Sequence, residues 1–543
     1  VLAIAAVGIG TYTMFSTGGT PAHAALPTDT ELLFEIPSVH HFADDLSNVR
    51  ALDASQLVSK QLLSDAAFDL STTFGVSKTQ ANALIIAASS LGVGARKLAS
   101  APEGGLVLTF STGTPVNTFL QAKRFSYIGL VSSNGRKYRL TEAPAPPTAN
   151  ADAMSRTLAG LKLDPTQIAL VWFETSKVLY VGSPSFALDV ARTLSLDAPS
   201  LDANAQFQTA KRDFADKSDA ILYLDPGHLA ALGDARLKAV LGSYLDRPAP
   251  ISGSFSLLPV GLVAHAVARF SPAPAASAQP PSAVPAPEPL TVAERLPSET
   301  FAYAAAVTKT SLSGAELQQL LLEQLGKSDP DTAKEVTAEL TQWEQRLQLH
   351  LTDLLGSVGD QAAVALLAPK DYSLSLGRPA QMAANFSLVY LQALKDEAPA
   401  RAQLAQLEQH FGALTDQARI HADEGGFSVV PSDDTWGVSL QAHVVQGYLC
   451  LAVGRTLLVE RSLHALTAAE NTLAADPAYK AARAALPKKA HLISWIDAGR
   501  VLNAVAENPL LAPRLHDLGL DRAGLRRVGP ERVTAALAVT LEL

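Results

Sequence analysis

The sequence predicts an α+β protein built from two homologous lobes. Two observations carry this prediction: a proline-rich segment divides the 543-residue chain nearly in half, and motifs before that segment recur after it at a near-constant spacing. In addition, strand-like apolar runs follow helical stretches in a similar order in both halves. A chain of this length exceeds what one hydrophobic core usually organises, so at least two domains are expected.

The composition is that of a globular protein without a nucleic-acid-binding surface. Hydrophobic residues make up 48% of the chain and charged residues 17%, and the formal net charge is −9. An acidic balance disfavours binding to a phosphate backbone. The single cysteine, Cys450, excludes an intramolecular disulfide and a cysteine zinc site, and its apolar neighbours predict a buried position in a strand.

The first 25 residues are predicted to direct the chain to a membrane. Val1–Phe15 is uncharged and almost wholly apolar, and a helix of about 20 such residues spans a bilayer. An anchor on the inner membrane, with the rest of the chain on the periplasmic side, is the favoured interpretation. The alternative is a signal peptide, because an A-x-A pattern at residues 22–24 would allow cleavage before Ala25 and release a soluble or secreted protein.

A Pro/Ala-rich linker at residues 271–289 separates the predicted lobes, 26–270 and 290–543. Proline at this density favours an extended, semi-rigid connection. The Leu-Pro-x-x-Thr sequence at residues 26–30 returns at residues 296–300, an offset of 270. Three further pairs return at an offset of 272, namely Gly182 and Gly454, Phe207 and Tyr479, and Asp225 and Asp497. We therefore infer an internal duplication.

Each lobe is predicted to contain a mixed or antiparallel sheet with one face covered by helices. Short turns between successive strands favour antiparallel or mixed pairing, and Leu106–Phe110 and Ile168–Phe173 are two of the strand candidates. The second lobe adds a helical stretch from Ser313 to Leu355, whose leucines are expected to pack in the core.

The repeated blocks around Gly182 and Gly454, with the Leu-Pro-x-x-Thr openings and the N-terminal apolar segment, resemble a bacterial envelope family known as domain of unknown function 3352. The resemblance implies a secreted or membrane-anchored bacterial protein. It implies no activity, ligand or catalytic residue.

The repeated residues are best explained by structural roles. Gly182 and Gly454 follow strands but stand in no phosphate-binding motif, so each is predicted to form a tight turn with positive φ. Asp225 and Asp497 end strands and are predicted to cap the following helices. Phe207 and Tyr479 are predicted aromatic anchors of short helices.

One cluster has the residue types of a metal site. It consists of His40, His41, Asp44 and Asp45, and on a helix His40 faces Asp44 while His41 faces Asp45. No third ligand is evident nearby in the sequence. The favoured interpretation is a solvated helix start, where carboxylates are favoured, so no metal site is predicted and a metal site is the alternative.

No catalytic signature is present, so a non-catalytic binding or scaffold module is predicted, with a protein partner in the envelope and no cofactor. An accessory subunit of a membrane complex is one form of this role. The rival is an envelope hydrolase with a site between the lobes, which would concentrate polar residues in one lobe.

Overall fold

The computed structural model describes residues 21–49, 78–98, 102–121, 125–132, 135–140, 169–214, 218–225, 250–269, 286–308, 357–369, 386–414, 418–423, 425–432, 437–501 and 534–542. The chain divides into two compact units. The first comprises residues 1–233, 247–271 and 509–527, and the second comprises residues 234–246, 272–508 and 528–543. The protein is thus of mixed helix and strand class, with a large sheet in each unit.

The described part of the first unit has ten strands: β1 (Leu32–Ile36), β2 (Ala88–Arg96), β3 (Glu103–Phe110), β4 (Phe125–Ser132), β5 (Gly135–Leu140), β6 (Ala169–Phe173), β7 (Val178–Gly182), β8 (Ala220–Leu224), β9 (Ile251–Leu258) and β10 (Gly261–Arg269). They pair in the order β4-β5-β6-β7-β3-β2-β1-β8-β9-β10. Every pairing in this series is antiparallel, in agreement with one of the two predicted arrangements.

Helices cover both faces of this sheet. They are α1 (Val39–Asn48), α2 (Lys78–Ile86), α3 (Thr114–Leu120), α4 (Pro184–Leu194) and α5 (Ala205–Lys211), with short 3-10 helices at Ala22–Ala25 and Leu201–Ala203. Alternate residues of β6 enter two different core clusters: Trp172 packs with α1, α2 and α3, while Val171 packs with α4 and α5. The prediction that helices cover one face is therefore wrong for this unit, because β6 is buried on both sides.

The second unit has nine described strands: β11 (Thr300–Val307), β12 (Val358–Leu367), β13 (Ser387–Leu394), β14 (Ala418–Asp423), β15 (Gly426–Pro431), β16 (Val438–Val445), β17 (Tyr448–Arg455), β18 (Leu492–Asp497) and β19 (Thr534–Glu542). They pair, again antiparallel, in the order β14-β15-β16-β17-β13-β12-β11-β18-β19. This order repeats, strand for strand, the order from β4 to β9 of the first unit.

The described helices of the second unit cover less of its sheet. They are α6 (Glu397–Leu414), α7 (Thr456–Ala468), α8 (Pro477–Ala485) and the start of a helix at residue 498, with 3-10 helices at Val292–Arg295 and Leu473–Ala475. In β17, Cys450 and Ala452 are buried while Leu451 and Val453 are exposed. Cys450 is thus a buried strand residue, as predicted, and burial raises the pKa of its thiol to about 12.

The Leu-Pro-x-x-Thr segments make the same contacts in both units. The amide of Leu201 donates to the carbonyl of Leu26 at 2.8 Å, and the amide of Leu473 donates to the carbonyl of Leu296 at 2.7 Å. The threonine amide of each motif donates back to its proline carbonyl. The motif therefore docks the start of β1, or of β11, on the 3-10 helix that precedes α5, or α8.

The predicted aromatic anchors are also repeated. Phe207 stands edge-on to Tyr223 with ring centroids 5.2 Å apart, and Tyr479 stands edge-on to Trp495 at 5.9 Å. The amides of the two anchors donate to the side chains that cap their helices, Asn204 and Asp476. Both anchors are buried.

The two repeated glycines serve a close backbone approach. A Cβ atom on Gly182 would lie 2.3 Å from the Gly104 carbonyl oxygen. Gly182 has no positive φ, so the predicted turn conformation is wrong there. Gly454 does have a positive φ, of 136°, and a Cβ atom on it would lie 2.4 Å from the Phe386 carbonyl oxygen.

Several predicted segments lie outside the described residues: the apolar run Val1–Phe15, most of the 271–289 linker and the Ser313–Leu355 stretch. Among the helices that are described, none combines the length and the apolar character that a membrane span requires. The predicted boundary after Ala25 falls inside packed structure, because Ala22, Ala25 and Leu26 are fully buried.

Gly182→Ala should destabilise the protein by about 1–3 kcal/mol, because backbone atoms of β3 have no room to move away from the added methyl group. Gly113→Ala is the matched control: its Cβ atom would have no neighbour closer than 3.4 Å, so a change within about 0.5 kcal/mol is expected. Urea unfolding of both variants measures the difference, and equal losses would contradict the close-approach explanation.

Candidate functional site

Of the two predicted aspartate caps, Asp497 is confirmed. Its Oδ1 accepts a hydrogen bond from the amide of Arg500 at 3.1 Å, at the start of a helix that begins at residue 498. The amide of Asp225 donates to the carbonyl of Glu31 at 2.7 Å, and the helix predicted after Asp225 lies outside the described residues. These two aspartates stand in separate units.

The histidine and aspartate cluster lies on α1, which begins after the N-cap residue Ser38. The apolar side of this helix packs in the core through Val39, Phe42 and Leu46. His41 and Asp45, one turn apart, lie on the other side, with His41 Nε2 3.1 Å from Asp45 Oδ2. The predicted pairing of these two residues is thus present.

A third ligand-type side chain, Asp219, reaches the same place from the residue just before β8. Its Oδ1 is 3.9 Å from His41 Nε2. One candidate ligand atom from each of His41, Asp45 and Asp219 lies within 4.8 Å of the others. His40 and Asp44 do not belong to this group, so the structure keeps two of the four predicted residues and adds one.

The three side chains differ sharply in exposure. The side chain of His41 is 53% exposed and that of Asp45 27%, whereas that of Asp219 is 2% exposed. Asp219 Oδ2 accepts a hydrogen bond from the Leu257 amide at 2.6 Å, while Oδ1 accepts none. Burial raises the pKa of the Asp219 carboxyl to about 6; the Asp45 carboxylate acts in the same direction, and the Leu257 amide and His41 oppose the rise.

Sequence reasoning missed Asp219 because 178 residues separate it from His41. Only the internal repeat marks it: at an offset of 272, the second unit has His491 in its place. The starts of the two strands otherwise match, so the change from Asp219 to His491 is the sequence signal that could have identified Asp219.

A second polar cluster surrounds the buried Arg96. Its guanidinium donates to Glu103 Oε2 at 2.8 Å, to Asp29 Oδ2 at 2.8 Å and to Asp189 Oδ2 at 2.7 Å, and it lies 5.3 Å from the ring centroid of Phe186. Both sides of the guanidinium fork are thus bonded to carboxylates. This network joins β2, β3 and α4, and its composition points to a structural role.

A third cluster holds the 3-10 helix at Ala22–Ala25. The fully buried Glu35 accepts hydrogen bonds from the Ala22 amide at 2.8 Å and lies 2.6 Å from His23 Nδ1. His23 Nε2 lies 3.2 Å from Lys211 Nζ. Both carboxylate oxygens of Glu35 therefore have partners, whereas Asp219 has a hydrogen-bond partner only at Oδ2.

A family model described as "protein of unknown function (DUF3352)" matches residues 189–518, more than half of the chain. The chain belongs to this family. The matched region begins in α4 and contains Asp219, but not His41 or Asp45. The family suspected from the repeated motifs is thus confirmed, and the description of DUF3352 assigns no activity to any residue.

Comparison with curated proteins found no significant match. Among solved structures, crystal form III of TP0453 is similar over 46% of this chain and 79% of that chain, at 9% identity and a TM-score of 0.25. Crystal form I of TP0453 is similar over 83% of this chain and 100% of that chain, at 7% identity and a TM-score of 0.23. TM-scores this low do not indicate a shared fold.

The Arg96 network should make stability depend on acid pH. The hydrogen bond from Lys97, aided by those from Arg96, lowers the pKa of Glu103 to about 2 despite its partial burial. A carboxylate whose pKa is depressed by folding stabilises the native state above its unfolded pKa, about 4.3, and loses that contribution as pH falls towards 2.

Glu103→Gln is the variant that measures this contribution. Its free energy of unfolding should fall below that of the wild type at pH 6, and the gap should narrow as pH falls from about 4.5 to 2. Denaturant unfolding across this range gives both values. A gap that stays constant with pH would contradict the assignment.

Proposed function

We propose that this chain is a non-catalytic binding module of the bacterial cell envelope, and that the part of the second unit's sheet that the described helices leave exposed binds a protein partner. The observation that carries the proposal is a row of exposed aliphatic side chains across four neighbouring strands. We call this row the apolar row; it consists of Leu366, Leu388, Val453 and Leu440.

The members of the apolar row lie side by side in the sheet. Leu366 of β12 is in register with Leu388 of β13, Leu388 with Val453 of β17, and Val453 with Leu440 of β16. Their exposed fractions are 40%, 44%, 42% and 37%, in the same order. Because directly opposed Cβ atoms are about 5 Å apart, the four side chains form one continuous surface.

A continuous apolar surface of this kind is typical of a protein-binding site. Single exposed aliphatic residues are ordinary. A contiguous apolar patch exposed to water is unfavourable in free energy, and burial against a partner removes that penalty. Leu451 and Val364, which flank the row on β17 and β12, are exposed to similar degrees and widen the patch. The core of a protein interface has the same apolar character.

Internal duplication forms part of the proposal. The duplication is supported by three similarities between the units: the equal strand orders, the helix caps Asn204 and Asp476, and the two edge-on aromatic pairs. A duplicated unit that keeps its fold while one copy exposes its sheet face is a suitable scaffold, because one copy contributes stability and the other a binding surface.

We further propose that the chain is held at the periplasmic side of the inner membrane by its N-terminal apolar segment, in keeping with the family resemblance. The packing of the 3-10 helix at Ala22–Ala25 favours this over cleavage before Ala25. Cleavage there would remove His23 and Ala22, the partners of the buried Glu35. The second unit has a 3-10 helix at the corresponding place, Val292–Arg295.

The rival hydrolase has one observation in its favour. Among the described residues, a cluster of this kind, formed by His41, Asp45 and Asp219, is found in the first unit only, and an uneven distribution of polar residues is what a catalytic site would produce. The binding proposal is preferred because it accounts for the apolar row, which a hydrolase in the first unit leaves unexplained.

Site-specific photocrosslinking in native membranes tests the binding proposal. A photoreactive amino acid at Leu388 should yield a crosslink to one other envelope protein, and Leu388→Glu should reduce recovery of that protein at least tenfold without lowering the melting temperature of the free chain. Leu130, which is 61% exposed on β4 of the first unit, is the matched control position and should yield no such crosslink.

Two results would reject the proposal. Crosslinks from position 388 only to residues 309–356 of the same chain would mean that the chain covers its own apolar row. Equal crosslinking from positions 388 and 130 would mean that capture is unspecific. The same preparation tests the anchor, because mass spectrometry should recover the intact N-terminal apolar peptide and no chain beginning at Ala25.

A further inference from the structure

Asp219 is a buried carboxylate of the first unit with one unsatisfied oxygen. It is 3% exposed, its Oδ2 is bound by the Leu257 amide, and its Oδ1 accepts no hydrogen bond although it points towards His41 and Asp45. A buried carboxylate oxygen without a donor costs free energy, so native proteins normally supply one or coordinate a cation there.

The atoms around Asp219 Oδ1 suit a small metal ion. Zn²⁺ binds imidazole nitrogen and carboxylate oxygen at about 2.0–2.2 Å, which separates neighbouring ligand atoms by about 3–4 Å. His41 Nε2 lies 3.1 Å from Asp45 Oδ2 and 3.9 Å from Asp219 Oδ1, and all three atoms lie within 4.8 Å of one another. The ligand set of one imidazole and two carboxylates is of the type that first-row divalent metals prefer.

The charges and the supporting contacts also fit. Two carboxylates with a neutral imidazole carry a charge of −2, which a divalent ion neutralises. The Leu257 amide fixes the orientation of the Asp219 carboxylate, as hydrogen-bond donors behind the ligands do in metal sites. His41 and Asp45 sit one turn apart on α1, and Asp219 reaches them from the residue before β8, so ligands from two elements converge.

We propose that His41, Asp45 and Asp219 form a binding site for a divalent first-row metal ion of the Zn²⁺ class. The half-exposed His41 and the partly exposed Asp45 leave the solvent side of the site open, so water completes the coordination. The site lies wholly within the first unit and is independent of the apolar row. If the partner-binding proposal fails, the metal-site proposal still stands. If the metal-site proposal fails, the partner-binding proposal still stands.

Two other arrangements would also satisfy this group without a metal. Asp45 and Asp219 could share a proton, a state that the raised pKa of Asp219 supports. Alternatively, a protonated His41 could form ion pairs with both carboxylates. Neither arrangement binds a stoichiometric metal ion, so metal binding by the stripped protein separates them from the proposal.

The experiment uses the full-length protein, stripped with a chelator and titrated with Zn²⁺ by calorimetry and with Co²⁺ by visible absorption. The wild type is expected to bind one ion that His41→Ala and Asp219→Asn each weaken at least tenfold, with loss of the Co²⁺ ligand-field bands. Both variants should fold, because His41 is half-exposed and an asparagine at 219 keeps a carbonyl oxygen for the Leu257 amide.

His40→Ala and Asp44→Asn are the matched controls. Both residues lie on the same helix but outside the group, so both variants should keep the wild-type affinity and spectrum. A wild type that binds no stoichiometric ion would overturn the proposal. Binding that persists undiminished in both His41→Ala and Asp219→Asn would overturn it as well, because the ion would then occupy other histidines.

Discussion

The structure of each unit depends on one backbone hydrogen bond, from Leu201 to Leu26 in the first unit and from Leu473 to Leu296 in the second. It docks the segment that leads into β1, or β11, on the 3-10 helix before α5, or α8. Those strands lie inside their sheets, paired on both sides. The bond therefore fixes a central strand of each sheet relative to the 3-10 helix that precedes α5, or α8.

The two units share this strand order but differ in how much of their sheets is buried. In the first, β6 and β7 are buried on both faces, and Trp172 packs with α1, α2 and α3. In the second, the described helices leave Leu440 and Val453 exposed on one face of β16 and β17, whereas Val444 and Leu449 on that same face are buried in a cluster with α6. An antiparallel sheet tolerates both conditions because its backbone hydrogen bonds are made within the sheet, whatever covers its faces.

Buried charge is also handled in two ways within the first unit. The guanidinium of Arg96 meets Glu103, Asp29 and Asp189, so its charge is compensated by neighbours that fold with it. Glu35 is likewise bonded at both oxygens. Asp219 has one satisfied oxygen and one that faces His41 and Asp45 without a hydrogen-bond donor. Burial with incomplete satisfaction is common where a protein binds a ligand, and rare where a residue only supports the fold.

The sequence by itself determined several local elements and the family. The apolar runs at residues 106–110 and 168–173 correspond to β3 and β6 as predicted, because a strand's alternating pattern of side chains is visible within a few residues of sequence. The aspartate cap at Asp497 and the pairing of His41 with Asp45 follow from the same short-range rules. Only the tertiary structure decided which faces of the sheets are covered, why Gly182 carries no side chain and that Asp219 meets His41. Each of these depends on a contact between segments brought together by strand order, which no spacing along the chain encodes.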